Sequence, residues 1–202
     1  MITIVDYGIG NTGSLCNMFK RIGVKTHIVS DPEVLQSSVK LLLPGVGAFD
    51  SAMSQINERP GLREVLQYKA MVQKVPVLGV CLGMQLLTHS SEEGQLPGLS
   101  WIPGKTLRFP RIDGLKVPHM GWNRAVRHTP SLMTNHLGED TMYYFVHSYY
   151  VKTDYPELSI MRSRYGVEFD SAIGCDNIYG VQFHPEKSHR FGMQILKNFA
   201  EL

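Results

Sequence analysis

The chain has no unbroken apolar run of the roughly eighteen residues that a membrane-crossing helix needs, so neither a transmembrane helix nor a membrane partner is expected. It also lacks a basic leader followed by an apolar segment and a small-residue cleavage site. Its opening Met-Ile-Thr-Ile-Val-Asp reads as a first strand instead of a signal peptide. Cysteine is scarce. Cys16, Cys81 and Cys175 make an odd set, which argues against a disulfide framework and for free thiols in a reducing, cytoplasmic setting. No cysteines or histidines cluster at zinc-ligand spacing, and no metal site is expected. Dense positive charge is missing as well: the net charge is +2, and Lys105, Arg108, Arg111, Arg162 and Arg164 are scattered, so no nucleic-acid partner is expected. Repeats, low-complexity tracts and linkers are all absent.

What is present fits one folded unit. A chain of 202 residues with 43% apolar and 19% charged residues can bury a single sizeable core, and residues 1–202 are read as one domain. Its first half alternates short apolar runs with helical patterns. Strands are expected at Ile2–Val5, 25–29, Leu41–Leu43 and 75–80, and helices at 11–22 and 62–72. Val-, Ile- and Leu-rich strands separated by helices predict an α/β fold, a mostly parallel central sheet covered on both faces. From about Pro97 turn signals multiply and strands shorten, with one near 143–146 and a hairpin of 171–173 with 178–183 around Asp176-Asn177. A last helix is expected over 191–200, with Phe191, Ile195, Leu196 and Phe199 on one stripe.

Gly8-Ile9-Gly10-Asn11-Thr12-Gly13 matches the dinucleotide fingerprint G-x-G-x-x-G between a strand and a helix, with Asp31 just beyond the second strand. One reading is therefore a nucleotide-binding regulatory module. The other is a tight turn in which glycines relieve crowding. The two readings differ in whether NAD or FAD binds.

A second constellation points to catalysis. In Val77-Leu78-Gly79-Val80-Cys81-Leu82-Gly83-Met84 a buried strand ends at Val80 and a helical pattern begins after Cys81. A cysteine on that sharp turn is the thiol counterpart of the serine nucleophile elbow. The helix N-terminus favours its thiolate, and the N–H of Leu82 is free to hold an oxyanion. Gly79 and Gly83 are expected to let backbone pass close to substrate. The competing reading is a small buried hydrophobe, and Cys16 and Cys175, without such a setting, take it. A thiol nucleophile needs an imidazole, and the imidazole needs an orienting group. Phe183-His184-Pro185-Glu186 offers both: Pro185 forces His184 to be extended, and residues at i and i+2 of an extended chain face one side. His27, His89, His119, His128, His136, His147 and His189 read as structural or exposed.

Together, Val80-Cys81-Leu82-Gly83-Met84-Gln85 and Gln182-Phe183-His184-Pro185-Glu186-Lys187-Ser188 resemble the class I, triad-type glutamine amidotransferases. Pro44-Gly45-Val46-Gly47 is similar to their oxyanion strand. Pro118-His119-Met120-Gly121-Trp122-Asn123 narrows the likeness to the glutaminase subunits of imidazole glycerol phosphate synthase, whose partner is a TIM-barrel cyclase. The resemblance runs essentially the full length. It implies a three-layer fold with a smaller antiparallel C-terminal part. It also implies hydrolysis of L-glutamine by Cys81 as nucleophile, His184 as acid and base, and Glu186 as orienter. The N–H groups of Leu82 and of the Val46-Gly47 strand would hold the oxyanion, and Gly45, Gln85, Glu93, Ser148 and Tyr149 the glutamine. Asn11, Met120, Trp122, Asn123 and Lys187 would meet the partner in a heterodimer, with no cofactor. Gly13 and the run Ser188-His189-Arg190-Phe191-Gly192-Met193 depart from the histidine-pathway pattern. Both resemble instead the glutaminases that feed amidating synthases of surface-polysaccharide sugars.

Overall fold

A computed structural model describes residues 1–202. In chain order the strands are β1 (Ile2–Val5), β2 (Thr26–Val29), β3 (Leu41–Leu43), β4 (Val77–Val80), β5 (Gly104–Arg108), β6 (His119–Arg124), β7 (Val126–Arg127), β8 (Met142–His147), β9 (Tyr149–Thr153), β10 (Ser159–Tyr165), β11 (Val167–Cys175) and β12 (Ile178–Val181). The helices are α1 (Thr12–Arg21), α2 (Pro32–Leu35), α3 (Phe49–Glu58), α4 (Leu62–Gln67), α5 (Leu82–Leu86) and α6 (His189–Glu201).

One sheet runs β2-β1-β3-β4-β12-β11-β10-β7. Its first five strands are parallel neighbours, and the rest pair antiparallel, with β9 joining β11 to β5. A separate ribbon pairs β6 with β8. The expected antiparallel part is thus largely an extension of the central sheet.

The three layers follow from period-2 alternation along strands that are buried throughout. Val5, Leu41, Leu43 and Val77 pack with Phe49, Met53, Ile56, Leu62 and Leu66 of α3 and α4 on one face. Ile2, Ile4, Leu42, Leu78 and Val80 pack with Leu15, Phe19, Ile195, Leu196 and Phe199 of α1 and α6 on the other. No helix is long and apolar enough to cross a membrane.

The expected elements are present, some with trimmed ends (β2, β4, β12 and α1) and some longer than expected (β8, β11 and α6). The hairpin closes through Asp176-Asn177, with Cys175 paired to Ile178 and Asp176 at φ 52°. The helix expected over 62–72 is α4 followed by a wider π turn, Tyr68–Val72. The last helix starts earlier than expected, at His189.

The arrangement explains how distant residues meet. β4 and β12 are adjacent and parallel, with Val80 opposite Val181, and Cys81 N–H donates to Val181 O at 2.8 Å. Cys81 leaves the carboxyl end of one strand just where Gln182-Phe183-His184 leaves its neighbour, and Pro44-Gly45 leaves β3 on the opposite flank. Ligands of open α/β sheets bind at this edge.

Candidate active site

Cys81 joins β4 to α5 with φ 55° and ψ −111°, a backbone region that L-residues avoid. Such strain persists only where the surroundings over-determine it, and here close backbone packing supplies the constraint. A Cβ on Gly83 would lie 1.9 Å from Leu43 O, and one on Gly79 would lie 2.5 Å from Gly83 O. These glycines therefore let α5 press onto the sheet. Gly45 plays the same part. Its Cβ would meet Gly83 N at 2.7 Å, and it sits beneath the cleft without lining it.

His184 is extended (φ −95°, ψ 100°), as Pro185 dictates. Its Nδ1 lies 2.9 Å from Glu186 Oε1, and the two side chains are 3% and 6% exposed. Strand alternation is not what brings them together, because Pro185–Lys187 is a 3-10 turn that folds the carboxylate back onto the ring. Ser188 fixes the same corner, donating to His184 O at 2.6 Å and accepting from Tyr144 N–H at 2.9 Å. His184 Nε2 is buried with no well-aligned hydrogen bond, directed at the Cys81 thiol. Catalytic hydrogen bonds are commonly loose without substrate. Burial by itself pushes the imidazole pKa down. The Cys81 and Glu186 side chains more than offset this, by hydrogen bonding and by charge, and it is pushed up to about 10. His184 therefore carries a proton at neutral pH.

Val46, Gly47, Cys81, Leu82, Gln85, Glu93, Ser148, Tyr149 and His184, all named from sequence, line one cleft of about 250 Å³. That is below the range of roughly 300–1,000 Å³ for drug-sized ligands and suits a single amino acid. Leu82 is the first residue of α5, so its N–H has no intrahelical acceptor. The N–H groups of Val46 and Gly47 likewise donate to nothing in the protein. Glu93 faces the cleft and also accepts from Phe49 N–H at 2.9 Å, capping α3. Gln85 spends its amide donors internally, on Tyr149 O at 3.1 Å and Gln182 Oε1 at 3.0 Å.

Away from the cleft, Met120 and Trp122 are 62% and 45% exposed on the outer side of β6. Trp122 meets Tyr144 edge-on, and Lys187 Nζ sits 5.6 Å over the Tyr144 ring, so these residues share a patch. Asn123 turns inward, its Nδ2 lying 3.2 Å from His119 Nε2, and it is not part of that outer patch. Asn11 caps α1 through Ser14 N–H.

Sequence reasoning missed Gln182, whose Nε2 reaches within 3.8 Å of Cys81 Sγ, and it missed Pro118, Val146 and His147, which also line the cleft. Gln182 stands two residues before His184, where strand alternation could have flagged it. The nucleotide reading of the Gly8–Gly13 loop does not hold. Asp31 caps α2 through Glu33 N–H, and Gly10, at φ 128°, abuts Pro44, where a Cβ would be 3.0 Å from the ring. Gly8, at φ 90°, and Gly10 serve the turn beside Pro44.

The family model for class I glutamine amidotransferase matches residues 3–202. HisH 2 of imidazole glycerol phosphate synthase from Methanococcus maripaludis is 50% identical, covering 100% of this chain and 99% of that protein. The HisH subunit from Bdellovibrio bacteriovorus is 46% identical over all of both chains. Among solved structures, PurLQS from Thermotoga maritima superposes with a TM-score of 0.76 at 15% identity, covering 99% and 97% of the two chains. A putative GMP synthase component from Thermoplasma acidophilum gives 0.72 at 20%, covering 99% and 92%. At those identities the solved structures establish the three-layer fold alone. Sequence, fold and cleft agree, and the chain belongs to the class I glutamine amidotransferase family.

Proposed function

We propose that this chain is the glutaminase subunit of an imidazole glycerol phosphate synthase. It hydrolyses L-glutamine and passes ammonia to a TIM-barrel cyclase that serves histidine biosynthesis. The observation that carries the chemistry is the strained Cys81 set beside His184, which Glu186 orients, in a cleft with three free backbone N–H groups.

The Cys81 thiolate attacks the side-chain amide carbon, and the carbonyl oxygen takes the charge beside the N–H of Leu82 and those of the Val46-Gly47 loop. One such donor is worth about 3 kcal/mol of barrier. His184 gives its proton to the amide nitrogen, the C–N bond breaks, and ammonia leaves a γ-glutamyl thioester. His184, now neutral, takes a proton from water as it attacks the thioester. Expulsion of the thiolate releases glutamate and restores the starting ion pair. Glu186 keeps Nδ1 protonated and Nε2 aimed at the sulfur throughout.

Support for the partner comes from the exposed Met120–Trp122 patch with Lys187, and from the relatives, which are named as subunits of that synthase. The resemblance of Gly13 and residues 188–193 to glutaminases for surface-sugar synthases supports a second reading. Residues 185–187 and α6 pack against α1, and His189 stacks on Trp122 at 5.5 Å. The departures therefore cluster by the partner patch and leave the triad untouched. Co-purification settles the partner: a TIM-barrel cyclase supports the first reading and an amidating synthase the second. Cys81→Ala tests the chemistry. It should abolish glutamine-dependent turnover of the complex while free ammonium still supports the partner reaction. Glutaminase activity retained in Cys81→Ala would refute the triad.

A further inference from the structure

Behind the cleft wall lies a histidine pair that the mechanism above does not use. β6 and β8 place His119 opposite His147, and the rings meet with His119 Nδ1 2.9 Å from His147 Nε2. Both are buried, at 3% and 6% exposure. The proton positions follow from the partners. His147 Nδ1 lies 2.7 Å from Tyr149 O, a carbonyl that can only accept, so Nδ1 carries the hydrogen. His147 Nε2 is then a lone pair and must accept from His119 Nδ1–H. That leaves His119 Nε2 as an acceptor, facing Asn123 Nδ2 at 3.2 Å. Asn123 is fixed in turn, donating to Arg164 O at 3.0 Å while its oxygen accepts from Arg124 N–H at 2.8 Å. Each link has one donor and one acceptor, and the chain runs one way, from Asn123 through both rings to the Tyr149 carbonyl.

That carbonyl is also where Gln85 Nε2 donates, at 3.1 Å. Gln85, His147, Ser148 and Tyr149 all line the cleft. We infer that His147, oriented by His119 and Asn123, is a positioning residue for glutamine: it holds the Tyr149 peptide and through it the wall that receives the amino-acid end of the substrate. This rests on the glutaminase reading above. Burial agrees with the assignment, pushing His119 down to about 4 and His147 down to about 3, so that both rings stay neutral beside the charged His184. Nothing in the chain touches the reacting sulfur, so its loss should weaken substrate capture and spare the thiol's reactivity.

The test compares His147→Leu with His147→Asn, whose amide nitrogen superposes on Nδ1 and keeps the donation to Tyr149. Both are assayed in the purified complex with its synthase partner. Loss of a buried partner should raise the glutamine KM about ten- to a hundredfold in His147→Leu, with kcat little changed. His147→Asn should recover most of that loss. Alkylation of Cys81 by iodoacetamide should proceed at the wild-type rate in both variants, while a glutamine-shaped diazoketone should need a correspondingly higher concentration in His147→Leu. If that variant does not fold, His119→Phe carries the same comparison. It keeps a ring stacked between Tyr165 and Phe145, at 4.0 and 4.9 Å, and removes both nitrogens. An unchanged KM, a fall in kcat and alkylation together with KM, or no recovery in His147→Asn would overturn the inference. A wild-type complex that does not hydrolyse glutamine would instead overturn the glutaminase reading.

Discussion

Cys81 and His184 end neighbouring parallel strands, yet they are held by opposite means. Cys81 is held by crowding: its backbone sits at φ 55°, and Gly45, Gly79 and Gly83 around it leave no room for a methyl group. Crowding of this kind orients the thiol without tying up the sulfur in a strong hydrogen bond. His184 has an ordinary extended backbone and is held by polar contacts, Glu186 on Nδ1 and Ser188 on its carbonyl. Those contacts orient the ring, and Glu186, together with Cys81, raises its pKa. The nucleophile's surroundings therefore determine whether the elbow exists at all, and the base's surroundings determine when it is protonated.

The largest expected effect is on the crowded side. In Gly83→Ala the new Cβ would lie 1.9 Å from Leu43 O, a backbone atom within the sheet that cannot move aside cheaply. A loss of about 4 kcal/mol or more is expected, in the range that marks a forced core rearrangement. The denaturant midpoint of the purified chain reads it. A wild-type midpoint would mean that the elbow is far softer than its geometry says.

On the polar side, Glu186→Gln keeps the shape and removes the charge. His184 then loses one of the contacts that oppose burial, so its pKa must fall from about 10. The protonated ring is the form that releases ammonia, and activity is lost as pH rises through its pKa. The alkaline limb of kcat/KM should accordingly move to lower pH in the variant. A fall in kcat of about a hundredfold is expected at neutral pH, within the usual range for a misdirected acid–base group. The unfolding midpoint should move little. An unshifted alkaline limb would separate Glu186 from the charge of His184 and leave it a spacer.

Much of this site was legible because its signals are local. Strand ends were marked by apolar runs, the elbow by a cysteine between glycines, and the base by a His-Pro-Glu triplet whose proline fixes the backbone. What was hidden depends on neighbours distant in sequence. α3 has no cap in its own sequence, since Ala48 offers none and the acceptor is Glu93, 44 residues away. The His119–His147 pair exists only through the register of β6 on β8 and reads in sequence as unrelated histidines. Gly79 and Gly83 were noticed for their position, but not the packing that demands them: Gly83 abuts Leu43 O of the neighbouring strand, and Gly79 abuts Gly83 O. The literal G-x-G-x-x-G misled because positive φ at Gly8 and Gly10, and the approach of Gly10 to Pro44, demand the same residue type that a pyrophosphate would.

The smallest expected effect separates strain from function at Cys81 itself. Cys81→Ala and Cys81→Gly both remove the sulfur and should abolish glutamine hydrolysis equally. They differ in backbone cost. Alanine inherits the disfavoured φ of 55°, whereas glycine adopts positive φ freely. Relief of such strain is worth on the order of 1–3 kcal/mol, against about 0.5–1 kcal/mol lost to the greater freedom of glycine in the unfolded chain. Cys81→Gly should therefore be the more stable variant by about 1 kcal/mol in denaturant titrations. At His184, where φ is −95°, the same pair of substitutions should favour alanine. If alanine were the more stable choice at both positions, the elbow would hold no strain, and crowding would not be what presents the thiol.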